Sequence, residues 1–184
     1  LAGFYNISAK KNIFLPFKFI IYYFFAVANK INIISNDTFK KWGVIIFLRG
    51  LKEENIAKSS FKYSKQIKFN NLYRDYKFNL MDNDYYIITA SFENYVRNCF
   101  PDEINVIGST LKYNDSKVSN LEYNCYGERK LKLLHDLGIE CIDEFYTDSY
   151  SDLCLAEISD KINIVKGDSC VTYDSTKDFI EYFR

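Results

Sequence analysis

The chain has one histidine, His135, and none of its five cysteines stands in a CxxC pair. Cys99, Cys125, Cys141, Cys154 and Cys170 are scattered and odd in number, so a zinc site is not expected. Reduced thiols in a cytoplasmic protein are the simpler reading. There is no charge excess either: 24 basic residues balance 24 acidic ones. A nucleic-acid partner, which usually shows as a basic surplus, is therefore not expected, and an acidic ligand needs a local site. No repeats or low-complexity tracts occur. The first residue is Leu1, and neither a charged leader nor a small-residue cleavage site follows it, so no signal peptide is expected. The missing initiator methionine points to a fragment or a trimmed chain.

What is present is enough to build a core. Hydrophobic residues are 48% of the 184 and charged residues 26%, the balance of a globular protein. The most apolar run is Ile13 to Ala28. It is shorter than the ~20 residues a membrane span needs, and it contains Lys18, so no integral span is expected. Ile13, Phe17, Ile20, Phe24 and Ala28 recur at the helical period, which predicts a buried helix, with a membrane-surface helix as the alternative. Ser35 or Asn36 can cap a second helix that ends at Gly50, and a third runs from Glu53 to about Ile67. Residues 1–70 thus read as a helical region and 71–184 as an α/β core.

In that core, Tyr85 to Thr89 reads as a strand that ends in a small polar turn, and Phe92 to Cys99 as a helix. Asn114-Asp115-Ser116 is a hairpin turn between Ser109–Tyr113 and Lys117–Tyr123. Gly127 to Leu137 reads as a helix closed by Gly138. A strand from Cys141 to Thr147, a helix from Ser149 to Ile158, a strand from Lys161 to Val165 and a terminal helix from Asp178 to Phe183 complete the pattern. Strands that alternate with helices predict a Rossmann-like parallel sheet covered on both faces.

Ligands of such sheets bind beyond the carboxyl ends of the strands. Those ends carry Thr89, Ala90 and Ser91; then Thr147, Asp148, Ser149 and Asp152; then Gly167 and Asp168. Lys130 opens the helix after Gly127. Two carboxylates four residues apart suit Mg²⁺, which binds through one or two carboxylates, waters and a substrate phosphate. Hydroxyls, helix-terminal N–H groups and a lysine suit phosphate oxygens. Together they fit phosphoryl transfer, where positioning and charge neutralisation supply most of the catalysis.

The order IITAS, GERK, YTDSYSDL and then VKGD resembles motifs two, three and four of the haloacid-dehalogenase (HAD) superfamily, in its phosphoserine-phosphatase-like branch. The resemblance covers about residues 83 to 168. It implies that Thr89, with Ala90 and Ser91, binds the phosphoryl group and that Lys130 steadies phosphate and nucleophile. Asp148 would be the Mg²⁺ ligand, and Asp152 its acidic partner. It also implies that the helical region 1–70 is a cap, that the substrate is a small phosphorylated molecule and that the mechanism passes through an aspartyl-phosphate. Motif one, Asp-x-Asp-Gly-Thr, is missing, and with it the first strand of the HAD core. Asp82, Asp84 and Asp143 precede strands, the wrong end for a nucleophile. The expectation is an incomplete, inactive phosphatase chain, with a non-catalytic binding or regulatory module as the alternative.

Overall fold

A computed structural model describes residues 1–10, 12–75, 80 and 83–184. Asp82 lies outside the described residues. In chain order the elements are α1 (Ala2–Ser8), α2 (Leu15–Lys30), α3 (Asn36–Phe47), α4 (Glu53–Ser64), α5 (Asn71–Asp75), β1 (Tyr86–Phe92), α6 (Glu93–Val96), β2 (Asn105–Asn114), β3 (Lys117–Tyr123), α7 (Glu128–Asp136), β4 (Ile142–Thr147), α8 (Leu153–Ala156), β5 (Ser159–Lys166), β6 (Ser169–Tyr173) and α9 (Thr176–Tyr182). The protein is mixed α/β, as expected. The described strands form two mixed three-stranded sheets, ordered β1-β2-β3 and β4-β5-β6, rather than one continuous parallel sheet. In each, a parallel pair is followed by an antiparallel hairpin return.

The chain divides into two compact units. One holds Leu1–Ile67 and Asp82–Cys125, the other Lys68–Met81 and Tyr126–Arg184. This division differs from the expected boundary at residues 70 and 71, because β1–β3 share a core with the helices of the first unit. Phe4 of α1 packs on Phe92 and Tyr95, with ring centroids 5.8 and 4.9 Å away. Tyr63 of α4 meets Tyr95 edge-on at 4.9 Å. Backbone bonds from Gly50 to Val118 and from Glu53 to Ser116 tie the helices to the β2–β3 hairpin. Aromatic pairs of this kind add about 0.5–1.5 kcal/mol each beyond simple burial. The second unit is leaner, with a core centred on Ala156, Ile162, Ile164 and Phe179.

Local chemistry explains most boundaries. Ser35 caps α3, its hydroxyl accepting from the Thr38 N–H at 3.1 Å, which satisfies one of the orphan donors of the first turn. Asp115 and Ser116 both adopt positive φ, the conformation a two-residue hairpin with right-handed twist requires.

Three expectations need correction. Helix α2 forms where the periodicity placed it, but Tyr22 is its one buried residue. Its predicted inner face is its outer face: Phe17, Ile20 and Phe24 are 65%, 67% and 75% exposed. Strand β1 does not stop at Ala90-Ser91 but continues to Phe92 through a register shift. Gly167-Asp168 is not a strand end facing a ligand. It is the turn of the β5–β6 hairpin, where Lys166 pairs with Ser169 and Gly167 takes a φ of 61°.

Candidate functional site

In the second unit, β4 delivers Thr147 and the loop after it to the carboxyl end of the parallel β4–β5 pair. Ser149 turns the chain into a short 3-10 turn, Tyr150–Asp152, by accepting from the Ser151 N–H. That turn carries Asp152 inward. Gly127, at a φ of 59°, starts α7 so that Lys130 also points inward. The result is a buried ion pair, Lys130 Nζ to Asp152 Oδ1 at 2.6 Å. The Thr147 hydroxyl donates to the other carboxylate oxygen at 3.0 Å. The Ser151 hydroxyl is 3.4 Å from Oδ1. Asp148 stands beside this cluster, exposed. Lys130, Asp148 and Asp152, singled out from the sequence, are thus in one neighbourhood.

A buried pair of this type holds its geometry because removing either partner strands a charge. Asp152 has both oxygens engaged, so it orients Lys130 rather than offering an open ligand position. Asp148 is the open carboxylate. Asp168, the other acid near a strand terminus, accepts from the Asn71 N–H and Nδ2 at 2.8 and 2.7 Å. Among the described residues no group of three His, Cys, Asp or Glu side chains could hold a metal. The donor set therefore suits Mg²⁺ only in its lightly held form, with one carboxylate, waters and a phosphate. Burial pushes the Cys154 thiol up, and neighbouring Asp152 pushes it further, the opposite of an activated thiolate. His135 faces Glu140, 3.6 Å away near the end of α7.

Thr89, Ala90 and Ser91 belong to the first unit, at the carboxyl end of the parallel β1–β2 pair. They occupy the register shift of β1, where Ile88 pairs with Ile107 but Phe92 pairs with Ser109. Irregularities of this kind re-aim side chains and occur often beside active sites. Gly108 makes it possible: a Cβ there would lie 2.8 Å from the Glu93 nitrogen and 2.9 Å from the Ser91 oxygen. The Thr89 hydroxyl accepts from the Ser91 N–H at 3.1 Å, and the Ser91 side chain bonds Tyr95.

Sequence reasoning missed the lysine at this strand end. Lys40 of α3 is buried, and its ammonium donates to the Ala90 carbonyl, the Ser109 hydroxyl and the Asn124 side-chain oxygen. The Ser109 hydroxyl donates to the same Ala90 carbonyl at 2.9 Å and accepts from the Cys125 N–H at 3.0 Å. Asn124 in turn donates to Asn36 and Asp37, the latter at 2.7 Å. One signal was present: Lys40, Gly43, Val44 and Phe47 share the buried stripe of α3, an odd place for a lysine unless acceptors wait there.

No family model, curated protein or solved structure matches this chain.

Proposed function

We propose that this chain carries part of a Mg²⁺-dependent phosphomonoester hydrolase of the HAD type, and that by itself it does not turn over substrate. The observation that carries the reading is the Lys130–Asp152 pair at 2.6 Å, with Asp148 exposed beside it at a strand's carboxyl end. Two segments that resemble motifs three and four meet there. Lys130 would neutralise a bound phosphoryl group while Asp152 fixes its direction, and Asp148 would hold the ion. Thr89, with the backbone of Ala90 and Ser91, would bind phosphoryl oxygens. In the HAD core the strand of motif one lies in the middle of a single Rossmann-like parallel sheet. Each unit's first strand, β1 or β4, is paired on one side only among the described residues. The substrate would be a small phosphorylated molecule, and the setting cytoplasmic, where five free thiols stay reduced.

Chemistry limits the chain. Hydroxyls need a base to become nucleophiles, and the carboxylate beside Thr147 and Ser151, that of Asp152, is already engaged by Lys130. With p-nitrophenyl phosphate and Mg²⁺ the polypeptide should show no turnover above buffer. Turnover abolished by Asp148→Ala would refute the inactivity. That shortage of a nucleophile also favours a second reading, a binding module that keeps an anion site. An upstream Asp-x-Asp-Gly-Thr segment in the coding sequence would decide for the enzyme. Restored hydrolysis on supplying that segment would confirm it.

A further inference from the structure

Helix α2 turns an apolar face outward that nothing described in the structure covers. At about 100° per residue, Phe17, Ile20, Ile21, Phe24 and Val27 fall on one continuous arc, all exposed. The opposite arc holds the helix on the first unit through ring contacts: Phe19 on Phe47 at 4.8 Å, Tyr22 on Phe39 at 5.0 Å and Phe25 stacked on Trp42 at 5.1 Å. The apolar surface continues past both helix ends through Phe14 and Ile31. A contiguous apolar patch of this extent marks a surface that meets something.

Charge indicates what it meets. The first acidic residue of the sequence is Asp37, whereas Lys10, Lys11, Lys18 and Lys30 all precede it. Lys30 borders the exposed arc at the end of α2. At the other end Lys18 and Arg49 line one shallow pocket, whose other walls are Ser8, Ala9, Asn12, Phe47 and Leu51, so two basic side chains stand beside the helix. Trp42 is 41% exposed next to exposed Lys41, and aromatic side chains of this kind favour the headgroup level of a bilayer. Two copies of the chain meeting through α2 would bring like charges together, since α2 itself carries two lysines and no acid. Spanning is ruled out by length: 16 residues make about 24 Å of helix, against ~30 Å of hydrocarbon.

We propose that α2 is an in-plane membrane helix that seats the first unit on an anionic lipid bilayer. Phe17, Ile20, Ile21 and Phe24 enter the acyl boundary, while Lys18, Lys30 and Lys41 meet lipid phosphates. Buried apolar area and attraction to anionic headgroups act together in such binding. This does not depend on the phosphatase reading.

The chain's one tryptophan, Trp42, makes the test direct. The full chain is mixed with phosphatidylcholine vesicles, with or without phosphatidylglycerol, and followed by flotation and Trp42 emission. Binding and a blue shift are expected with the anionic vesicles, weaker at high salt because screening shortens the reach of the lysines. The double variant Ile20→Ser/Phe24→Ser should bind more than about tenfold more weakly. Both residues are exposed, so its circular dichroism and melting should match the parent. Absence of binding to anionic vesicles overturns the proposal. So does binding that the double variant or the neutral vesicles leave unchanged. A monomer–dimer equilibrium abolished by the same variant, with no vesicle binding, would assign the face to a second copy instead.

Discussion

Each unit aims a helix lysine at the carboxyl end of a parallel strand pair, and the two lysines meet different company. Lys40 in the first unit donates to a carbonyl, a hydroxyl and an amide oxygen. All three ammonium protons are spent on the protein. Lys130 in the second unit meets a carboxylate, and an exposed acid adjoins the pair. The first arrangement locks α3 to β1, β2 and the segment after β3. The second buries an ion pair and leaves Asp148, next to Thr147 in the chain, exposed. The comparison teaches that the position of a lysine at a strand end is no mark of function; what its partners leave open is.

The largest effect should come from breaking the lock. Lys40→Ala removes a buried stem and three charge-assisted hydrogen bonds, and it should destabilise the first unit by about 4 kcal/mol. Urea unfolding monitored by Trp42 would measure it. A loss below about 1 kcal/mol would show that water reaches the cluster. In the second unit, Lys130→Met strands Asp152 and should cost about 3 kcal/mol. Adding Asp152→Leu should restore most of that, since an apolar pair replaces an ionic one at little net cost. Failure of the double variant to recover would mean that Thr147 and Ser151 depend on the carboxylate more than Lys130 does.

The last effect, absent at neutral pH, is an alkaline limb confined to the first unit. Burial raises Tyr22 and Tyr95 to about 12, with neighbouring tyrosines adding to each, and raises Tyr5 well above its ordinary value. The unfolded chain ionises these phenols near pH 10, whereas the folded one keeps them neutral. Their contribution is therefore complete below about pH 10 and is lost as pH rises towards 12. Each group contributes at most about 1.4 kcal/mol per pH unit in that window. Tyr22→Phe/Tyr95→Phe should flatten the alkaline limb. An unchanged slope would place the loss elsewhere.

The same contrast explains what could be read from the sequence. The helix start at Ser35, the hairpin at Asp115-Ser116 and the close of α7 at Gly138 were legible, because each depends on residues adjacent in the chain. So was the approach of Lys130 to Asp152, through motif order. The outward face of α2 was not. Periodicity tells which residues share a face, but what that face meets is decided by tertiary packing. Strand β6 escaped because Gly167-Asp168 reads equally well as a strand end and as a hairpin turn. Lys40 was hidden because its acceptors lie 50 to 84 residues away.

The functional account requires that Asp148 hold an ion beside the Lys130–Asp152 pair. Paramagnetic broadening of backbone amides by Mn²⁺, used in place of Mg²⁺ and with inorganic phosphate present, measures this in the intact chain. The account predicts broadening at Asp148–Ser151, and its loss in Asp148→Asn. No broadening there, or broadening that Asp148→Asn leaves unchanged, would contradict it.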